Sequence, residues 1–421
     1  MRYLENAIIN DVCIACGGIE LLPCLDLGRQ PPANNLRKSV TDVEPDFPLN
    51  VVRCSQCDHL QLYVIVNPDI LYKNYLYVSG TSQAYMHYMD WYANFVCEMY
   101  SSTLVYDTFT GMPNSVLDIG CNDGSQLDAF RRLGADYKTI ETYGVDPAEN
   151  LYPISSAKHH VTLGYWDKES PATQRKYDII TSQNAFSHIP DPLAYLQLVR
   201  ESLHEDGLMF ISTSQADMVL TGEFDTIYHE HISYYNSYSM KCLAERAGLH
   251  LVDVIKTPIH GISYIFVLSH VQFNENRMFN VLAMEQQQGL HDPETYTRWA
   301  DRARAIMQET HDTVQEYRSQ GYQIVGYGAA AKGMTFITSA HIECDVIIDD
   351  NPLKQGRYVP GLDTPITDSG YLADQLESQD KVLFVPLAWN VFQEIRGRIR
   401  TLRRNPNDRF LRYFPTVEVQ Q

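Results

Sequence analysis

Apolar runs alternate with helix-like stretches through the middle of the chain. Runs near residues 115–119, 141–145, 160–162, 177–182 and 207–213 have the length of buried strands, and patterns such as 192–203 have helical spacing. Buried strands separated by helices are typical of parallel sheets with crossover connections. The pattern therefore predicts an α/β domain from about residue 114 to 261.

The C-terminal third starts this alternation again, after a helical, solvent-facing stretch from Asp292 to Ser319. Residues 322–333 predict a strand, a glycine turn and a helix. Further strands are expected within 344–352 and near 381–386. We therefore expect a second Rossmann-like domain.

An aromatic-rich stretch precedes the first strand of the central domain. Tyr85, Tyr88, Met89 and Tyr92 recur at helical spacing, which predicts a helix packed on the core. The stretch from 72 to 82 is too irregular to be one helix and is crowded with hydroxyl groups. It is a candidate lining of the substrate cleft, through Tyr75, Tyr77, Ser79 and Ser82.

The composition is that of a soluble globular protein of two or three domains: 421 residues, 44% hydrophobic and 20% charged. The net charge of −19 is spread along the chain, which argues against nucleic acid as a partner. No apolar run reaches membrane-spanning length, and the N-terminus lacks a signal peptide's apolar core. We expect a cytoplasmic protein that does not bind membranes.

Nine cysteines in such a chain indicate thiols or metal ligands rather than disulfides. Cys13 and Cys16 form one Cys-x-x-Cys pair, and Cys54 and Cys57 form another. Two such pairs suit one tetrahedral zinc ion, which four sulfurs would close to further ligands. We predict structural zinc; redox-active or merely buried thiols are the alternative.

The apolar run 115–119 ends in a glycine-rich turn that includes Gly120, Asn122 and Gly124. Such a turn lets a ligand approach the backbone beyond the carboxyl end of a strand. Asp118 and the neighbouring Asp123 would repel a pyrophosphate, so a cationic cofactor is favoured. A strand and turn without a ligand is the alternative.

The second strand of this domain ends in Asp146, which is placed to accept both ribose hydroxyls of a cofactor. The pattern Asp-x-Gly-x-Asn-x-Gly at 118–124 resembles motif I of class I S-adenosylmethionine-dependent methyltransferases, with Asn122 where many members have glycine. The resemblance implies that the loop after the fourth strand lines the methionine end of the cofactor. Its polar candidates are Gln183, Asn184 and His188.

Residues 228–235, Tyr-His-Glu-His-Ile-Ser-Tyr-Tyr, crowd two imidazoles, a carboxylate and phenols into eight positions. Such groups are costly to bury without partners, and their density predicts proton transfer. Metal binding by His-x-His and a satisfied polar core are the alternatives.

The C-terminal glycine turn, Gly-Tyr-Gly-Ala-Ala-Ala-Lys-Gly at 326–333, carries Lys332 rather than acids. Helix N-terminal amides and one cation are the chemistry of a phosphate cradle. The alternative is a packing turn in a repeat of the fold that binds no ligand.

Together these motifs, with Leu-Gly-Arg-Gln-Pro-Pro-Ala-Asn at 27–34, resemble the S-adenosylmethionine-dependent sugar C-methyltransferases that act on nucleotide-linked keto-deoxysugars. The resemblance covers nearly the whole chain and implies an α/β protein of three domains. These are a zinc-binding domain at 1–70, a class I methyltransferase domain at 71–285 with a helical lead-in over 71–113, and a C-terminal Rossmann-like domain at 286–421.

The resemblance also implies site residues. His231 matches the family's proposed general base, and its neighbours in the active site would be Tyr228, His229, Glu230 and His188. The C-terminal domain is expected to hold the TDP or GDP of the substrate, with Lys332, Asn351 and Arg357 as candidates. S-adenosylmethionine would contact Asp118, Gly120, Asn122, Gly124, Asp146, Gln183 and Asn184. We expect a monomer or weak homodimer.

Methyl transfer to carbon requires a carbanion, and a ketone at carbon 4 makes the proton at carbon 3 removable. His231 suits the base, and Tyr228 or His188 suits the donor to the enolate oxygen. An O- or N-methyltransferase needs no enolate and is one alternative. A nicotinamide-dependent oxidoreductase gripping a ribose with Asp349 and Asp350 is another, and a non-enzymatic zinc adaptor is a third.

Overall fold

The structure is a computed structural model that describes residues 2–72, 78–81, 83–102, 111–137, 139–257, 263–273, 275–377 and 380–421. The chain forms two compact units. One comprises Met1–Leu22, Val52–Asp217 and His231–His291, and the other Pro23–Val51, Met218–Glu230 and Asp292–Gln421. The second unit is thus built from three separated parts of the sequence, and the predicted three-domain boundaries stay a prediction.

The N-terminal region consists of short strands joined by tight turns. They are β1 (Arg2–Leu4), β2 (Ala7–Ile9), β3 (Leu21–Gln30), β4 (Phe47–Cys54), β5 (Leu60–Leu62) and β6 (Val64–Val66). Strands β1, β2 and β6 form an antiparallel sheet, and β3 and β4 lie side by side in another. The second cysteine pair lies in the turn after β4, which Cys54 N closes on His59 O at 2.9 Å.

The central domain is the predicted parallel α/β sheet. Its strands, with a short β12 outside the main sheet, are β7 (Ser115–Ile119), β8 (Glu141–Asp146), β9 (His160–Leu163), β10 (Tyr177–Gln183), β11 (Leu203–Thr213), β12 (Ser233–Tyr234), β13 (His250–Thr257) and β14 (Ser263–Ser269). The order is β13-β14-β11-β10-β7-β8-β9. Strands β7 to β11 are parallel, whereas β14 runs antiparallel to both β11 and β13. The chain leaves β7 with β8 on one side and β10 on the other, and this switch point is where such sheets bind ligands.

The helices of this part of the chain are α1 (Pro68–Tyr72), α2 (Gln83–Ser102), α3 (Ser125–Tyr137), α4 (Tyr152–Ser155), α5 (Pro192–Ser202), α6 (Met218–Thr221), α7 (Ser237–Ala247) and α8 (Glu275–Gln287). The predicted aromatic helix is α2, in which Tyr85, Tyr88, Met89 and Tyr92 are buried. They pack on Val116, Phe130 and Phe210 of the sheet and α3. The prediction that this stripe is core packing is confirmed.

The C-terminal third is the predicted second α/β sheet. It contains α9 (Pro293–Ser319), α10 (Ala331–Ser339), α11 (Tyr371–Asp374) and α12 (Phe392–Leu402), with strands β15 (Gln323–Tyr327), β16 (Val346–Ile348), β17 (Ile366–Thr367), β18 (Val382–Pro386), β19 (Arg409–Arg412) and β20 (Glu418–Gln420). The order is β17-β16-β15-β18-β19-β20, parallel except for β20. The long helix begins where Asp292 caps it, since the Asp292 side chain accepts from Glu294 N. Within the described ranges, no helix combines the length and apolar character needed to cross a membrane.

A charged clasp joins the turn after β4 to the end of the first unit. His291 Nδ1 lies 3.0 Å from Asp58 Oδ2, and His291 Nε2 lies 3.5 Å from Glu285 Oε2. Glu285 is buried and also accepts from Ser237 N and Ser237 Oγ at 3.0 and 2.6 Å. Hydrogen bonds to Asp58 and then Glu285 raise the pKa of His291 to about 9.

We expect this clasp to make stability depend on pH. Because the pKa of His291 rises from 6.5 to about 9 on folding, the charged clasp contributes fully below pH 6.5 and its contribution is lost as pH rises through 9. The contribution should be about 2 kcal/mol. Urea unfolding of the wild type and His291→Gln measures it: the difference in unfolding free energy should shrink across this window. A difference independent of pH would contradict the charged clasp.

Candidate active site

The four predicted cysteine ligands come together in the first unit. The Sγ atoms of Cys13, Cys16, Cys54 and Cys57 all lie within 4.8 Å of one another. Cys13 Sγ and Cys57 Sγ are 3.6 Å apart, and Cys16 Sγ and Cys54 Sγ are 3.5 Å apart. A Zn–S bond of about 2.3 Å places tetrahedral sulfurs about 3.8 Å apart, so the set fits zinc.

Backbone amides support the sulfur cluster. Gly18 N donates to Cys16 Sγ at 3.3 Å and Gln56 N donates to Cys54 Sγ at 3.4 Å, which stabilises thiolates. Asn236 fixes the same turn from outside, because its Nδ2 donates to the carbonyls of Cys57 and Asp58 at 3.1 and 3.0 Å. Four sulfurs leave no coordination position open for chemistry.

The glycine-rich turn follows β7 at the switch point of the central sheet. Gly120 and Gly124 have φ of 86° and 83°, which favours glycine, and Asn122 has φ of 51°. A Cβ on Gly120 would lie 2.6 Å from the Cβ of Ala185, so the turn packs closely on the loop after β10. Side chains larger than hydrogen are therefore excluded where a ligand would lie on the backbone.

The Asp146 carboxylate holds this turn from the end of β8. Its Oδ2 accepts from Asn122 N and its Oδ1 from Ala148 N, both at 2.8 Å. Burial raises the pKa of Asp146, while the two amide hydrogen bonds oppose the shift. The predicted ribose ligand thus also shapes the turn.

Asp118, Asn122 and Asp123, in and before the turn, accept hydrogen bonds from different segments. Asp118 is buried, accepts from Thr181 Oγ1 at 2.8 Å, and has its pKa raised to about 7 by burial. Asn122 Oδ1 accepts from Ser79 N at 3.0 Å, and Asp123 Oδ2 accepts from Gly80 N at 2.9 Å. The turn therefore holds part of the predicted substrate-lining stretch; Tyr75, Tyr77 and Ser82 of that stretch lie outside the described residues.

The loop after β10 contributes the predicted amides beside the turn. Gln183 Nε2 donates to Gln126 Oε1 at 2.7 Å, which ties the loop to α3. Asn184 has φ of 54° and donates through Nδ2 to Tyr85 OH at 3.2 Å. Both predicted cofactor residues thus stand at the carboxyl edge of the sheet.

Two predicted imidazoles meet in the first unit. The ring of His188 lies 5.2 Å from that of His231 and stacks on Tyr72 at 5.4 Å. His188 Nε2 is sealed from solvent and has no hydrogen-bond partner among the described residues. Burial lowers the pKa of His188 to about 4, so the ring is neutral at neutral pH.

The backbone and ring of His231 are fixed by several contacts. His231 Nδ1 lies 3.2 Å from Ser214 Oγ, at the carboxyl end of β11. Its successor Ile232 donates to Ser187 O at 2.7 Å and accepts from Leu62 N at 2.8 Å. When Nδ1–H donates to Ser214, the lone pair on Nε2 is the basic position. The sequence did not single out Ser214; its place at the end of a parallel strand was the available signal.

In the second unit, Tyr228 is half-buried and the next two residues are buried. His229 Nε2 lies 3.2 Å from Phe47 O, and burial lowers the pKa of His229 to about 4. The ring therefore donates and links two segments. Glu230 Oε1 accepts from Asn34 Nδ2 at 2.6 Å. Asn34 ends a motif that the sequence singled out without assigning it a role.

The C-terminal turn repeats the geometry of the first. Gly328 has φ of 92°, and a Cβ built there meets no atom within 4 Å. Asp349 Oδ2 accepts from Ala329 N at 2.6 Å and Asp349 Oδ1 accepts from Asn351 N at 2.8 Å. A second lysine, Lys354, donates to Ala329 O at 2.7 Å. The open turn is thus bordered by cations.

The other candidates of this domain are spread around the turn. Lys332 lies in the first turn of α10, with Nζ 3.9 Å from Glu223 Oε2. Asn351 Oδ1 accepts from Leu353 N at 3.0 Å. Arg357 donates to the carbonyls of Leu353 and Leu36 at 2.8 and 3.2 Å.

We expect Cys54→Ser to remove the zinc and to lower stability, because a hydroxyl replaces one of four thiolates. Metal analysis of purified protein and thermal unfolding measure the two effects. Cys97→Ser, a change of another buried cysteine, is the matched control and should keep the metal. Zinc content unchanged in Cys54→Ser would contradict the ligand set.

We expect Asp146→Ala to weaken S-adenosylmethionine binding by about 2–4 kcal/mol, because the loop amide and the ribose hydroxyls lose their acceptor. Calorimetry measures the affinity. Asp349→Ala removes the same loop contact in the C-terminal domain and should leave this affinity unchanged. Equal effects of the two substitutions would contradict the assignment of the cofactor to the first turn.

Three family models match successive parts of the chain. Residues 98–254 match the family model described as "Methyltransferase domain", and residues 258–415 match "C-methyltransferase C-terminal domain". Residues 13–72, which hold the four cysteines, match "Putative zinc binding domain". The matches follow one another in the predicted order.

Similar proteins include the C-methyltransferase NovU of Streptomyces niveus, 29% identical over 399 residues and aligned over 91% of each chain. A ubiquinone biosynthesis O-methyltransferase of Cereibacter sphaeroides is 35% identical over 173 residues, covering 37% of this chain and 67% of that protein. Among solved structures, the plantazolicin methyltransferase BpumL in complex with SAH and a triazolic analog is 15% identical. It covers 46% of this chain and 88% of that chain, with a TM-score of 0.36.

The similarity to NovU extends through all three parts of the chain, whereas the O-methyltransferase aligns with little more than a third of it. The glycine-rich turn with Asp146 and the four clustered sulfurs are features suited to S-adenosylmethionine and to structural zinc. The chain therefore belongs to the S-adenosylmethionine-dependent methyltransferases.

Proposed function

We propose that the enzyme methylates carbon 3 of a nucleotide-linked 4-keto-deoxyhexose, in the biosynthesis of branched deoxysugars. The observation that carries the proposal is the pair of imidazoles, His231 and His188, at 5.2 Å between ring centres. Methylation of oxygen or nitrogen does not require an enolate, whereas methylation of carbon needs both a base and a donor to an enolate oxygen. The relationship to NovU along 91% of the chain supports carbon as the acceptor.

In the proposed reaction, His231 Nε2 takes the proton from carbon 3 while Nδ1–H remains hydrogen-bonded to Ser214 Oγ. The electrons of the broken C–H bond move into the ketone and give an enolate. His188, neutral at neutral pH, or Tyr228 donates a hydrogen bond to the enolate oxygen. S-adenosylmethionine supplies an electrophilic methyl group, which carbon 3 takes in line while the sulfonium becomes a thioether.

The nucleotide part of the substrate is proposed to bind the C-terminal turn. Gly328 is open, Lys332 stands in the first turn of α10, and helix amides suit phosphate. Asp349 and Asp350 are already paired with cations, since Lys354 lies 3.7 Å from Asp349 and Arg398 lies 2.7 Å from Asp350. These ion pairs favour a sugar nucleotide at this turn over the ribose of a nicotinamide cofactor. We propose a TDP or GDP sugar, acted on in the cytoplasm by a monomer or weak homodimer.

We expect Lys332→Ala to raise the KM for the nucleotide sugar roughly tenfold, because the phosphates lose one cationic partner. Affinity for S-adenosylmethionine should stay unchanged, and Lys332→Arg should keep most of the sugar affinity. Steady-state kinetics and calorimetry measure both quantities. Hydride transfer with a nicotinamide cofactor by the wild type would favour the oxidoreductase alternative.

We expect His231→Asn to abolish methylation while S-adenosylmethionine still binds, because the change keeps the shape but removes the base. Wild-type enzyme and keto sugar in deuterated water should exchange the carbon 3 proton when solvent reaches the base, and the variant should not. His341→Asn, at an exposed histidine with φ of 51°, is the matched control and should behave as wild type.

The position of the new methyl group decides between the reaction classes. NMR of the wild-type product should show the methyl bonded to carbon. A methyl bonded to oxygen, or a His231→Asn variant that works at close to the wild-type rate, would refute the proposed reaction.

A further inference from the structure

Two glutamine side chains are linked end to end beside the first glycine-rich turn. Gln126, in the first turn of α3, is 3% exposed and donates through Nε2 to Met89 O of α2 at 3.2 Å. Its Oε1 accepts from Nε2 of Gln183, the last residue of β10, at 2.7 Å. We call Gln126 and Gln183 the amide pair. Both glutamines and Met89 belong to the first unit.

The backbone carbonyl at one end fixes the order of donors and acceptors in the amide pair. A carbonyl only accepts, so Gln126 turns its Nε2 toward Met89 and its Oε1 toward Gln183. Gln183 then turns its Nε2 toward Gln126, which leaves its own Oε1 at the far end. The amide pair therefore presents an acceptor and not a donor.

Gln183 Oε1 is sealed from solvent and has no donor among the residues that the structure describes. Ser212 is its partner on the adjacent strand β11, and Ser212 Oγ is likewise sealed and without a hydrogen bond in the described ranges. The amide oxygen thus does not bond to the hydroxyl beside it on the sheet. A buried acceptor without a donor is unfavourable, and a ligand that donates to it would offset this cost.

The surroundings of Gln183 indicate which part of S-adenosylmethionine would meet this oxygen. Strands β8 and β10 lie on opposite sides of β7, so Asp146, the predicted ribose ligand, and Gln183 lie on opposite sides of the turn. Two residues before Gln183, on the same face of β10, Thr181 donates to Asp118 at 2.8 Å. A carboxyl group on this side of the turn favours the cationic methionine end of the cofactor over the neutral adenine.

We propose that the amide pair orients the methionine part of S-adenosylmethionine. Gln183 Oε1 accepts from the α-ammonium group, and Gln126 is the positioning residue that fixes the direction of the amide. An amide oxygen forms a charge-assisted hydrogen bond with an ammonium group and repels a carboxylate, so the order of the pair sets which end of the amino acid lies at β10. The inference rests on the cofactor binding the first turn and is independent of the sugar substrate.

The test measures by calorimetry the affinities for S-adenosylhomocysteine and for methylthioadenosine, which lacks the amino-acid part. We expect Gln126→Leu to weaken S-adenosylhomocysteine binding roughly tenfold and to leave methylthioadenosine binding unchanged, because only the first ligand carries the ammonium group. Gln183→Leu should show the same selectivity. Gln174→Leu, a change of an exposed glutamine, is the matched control and should bind both ligands as the wild type does.

Two further measurements separate orientation of the amide from packing. Gln126→Glu, protonated by burial, still donates to Met89 O and accepts from Gln183, so the affinity for S-adenosylhomocysteine should stay within about threefold of the wild type. In a double-mutant cycle, Gln183→Leu should cost little further once Gln126→Leu is present. A loss in Gln126→Glu as large as that in Gln126→Leu would refute the role of Gln126.

Equal weakening of both ligands in Gln126→Leu would mean that the amide pair supports the turn or meets the adenine, and it would overturn the inference. Additive effects in the cycle would do the same. Asp146→Ala should weaken both ligands, because both carry the ribose. If Asp146→Ala weakens neither, the cofactor does not lie on the first turn, and the inference fails together with that placement.

Discussion

Both α/β domains depend on one type of hydrogen bond, from the amide of a glycine-rich turn to the carboxylate that ends the neighbouring strand. Asp146 accepts from Asn122 N at 2.8 Å in the first domain, and Asp349 accepts from Ala329 N at 2.6 Å in the second. The contact forms because adjacent parallel strands end at the same edge of a sheet. It fixes the turn before any ligand arrives, so less ordering is required on binding.

The two turns share a backbone design but differ in the charges that surround them. The carboxyl groups of Asp118 and Asp123 stand at the first turn, the proposed site of the sulfonium cofactor. Lys332 and Lys354 stand at the second, where Lys354 also satisfies the carbonyl of Ala329. The two turns therefore offer different charges to a ligand, although they share a fold.

The pattern of apolar and polar residues predicted most of the strands and helices. An apolar run that ends at glycine, proline or a helix cap is compatible with few other secondary structures. The central strands and α9 lie within a few residues of their predicted bounds. The antiparallel β13–β14 hairpin was not predicted, nor was the inclusion of residues 23–51 and 218–230 in the second unit. The contacts of Asn34 with Glu230 and of Ser214 with His231 were also missed, because they depend on tertiary packing between segments distant in sequence.

The cysteine cluster is connected to His231 through a short series of contacts. The second knuckle lies in the turn between β4 and β5, and β5 pairs with β12 directly after His231. Leu62 N of β5 donates to Ile232 O at 2.8 Å, while Ile232 N donates to Ser187 O beside His188. Ile232, which follows His231, is thus held by β5 on one side and by Ser187 on the other. A metal that folds this turn therefore also bears on the position of His231, the proposed base.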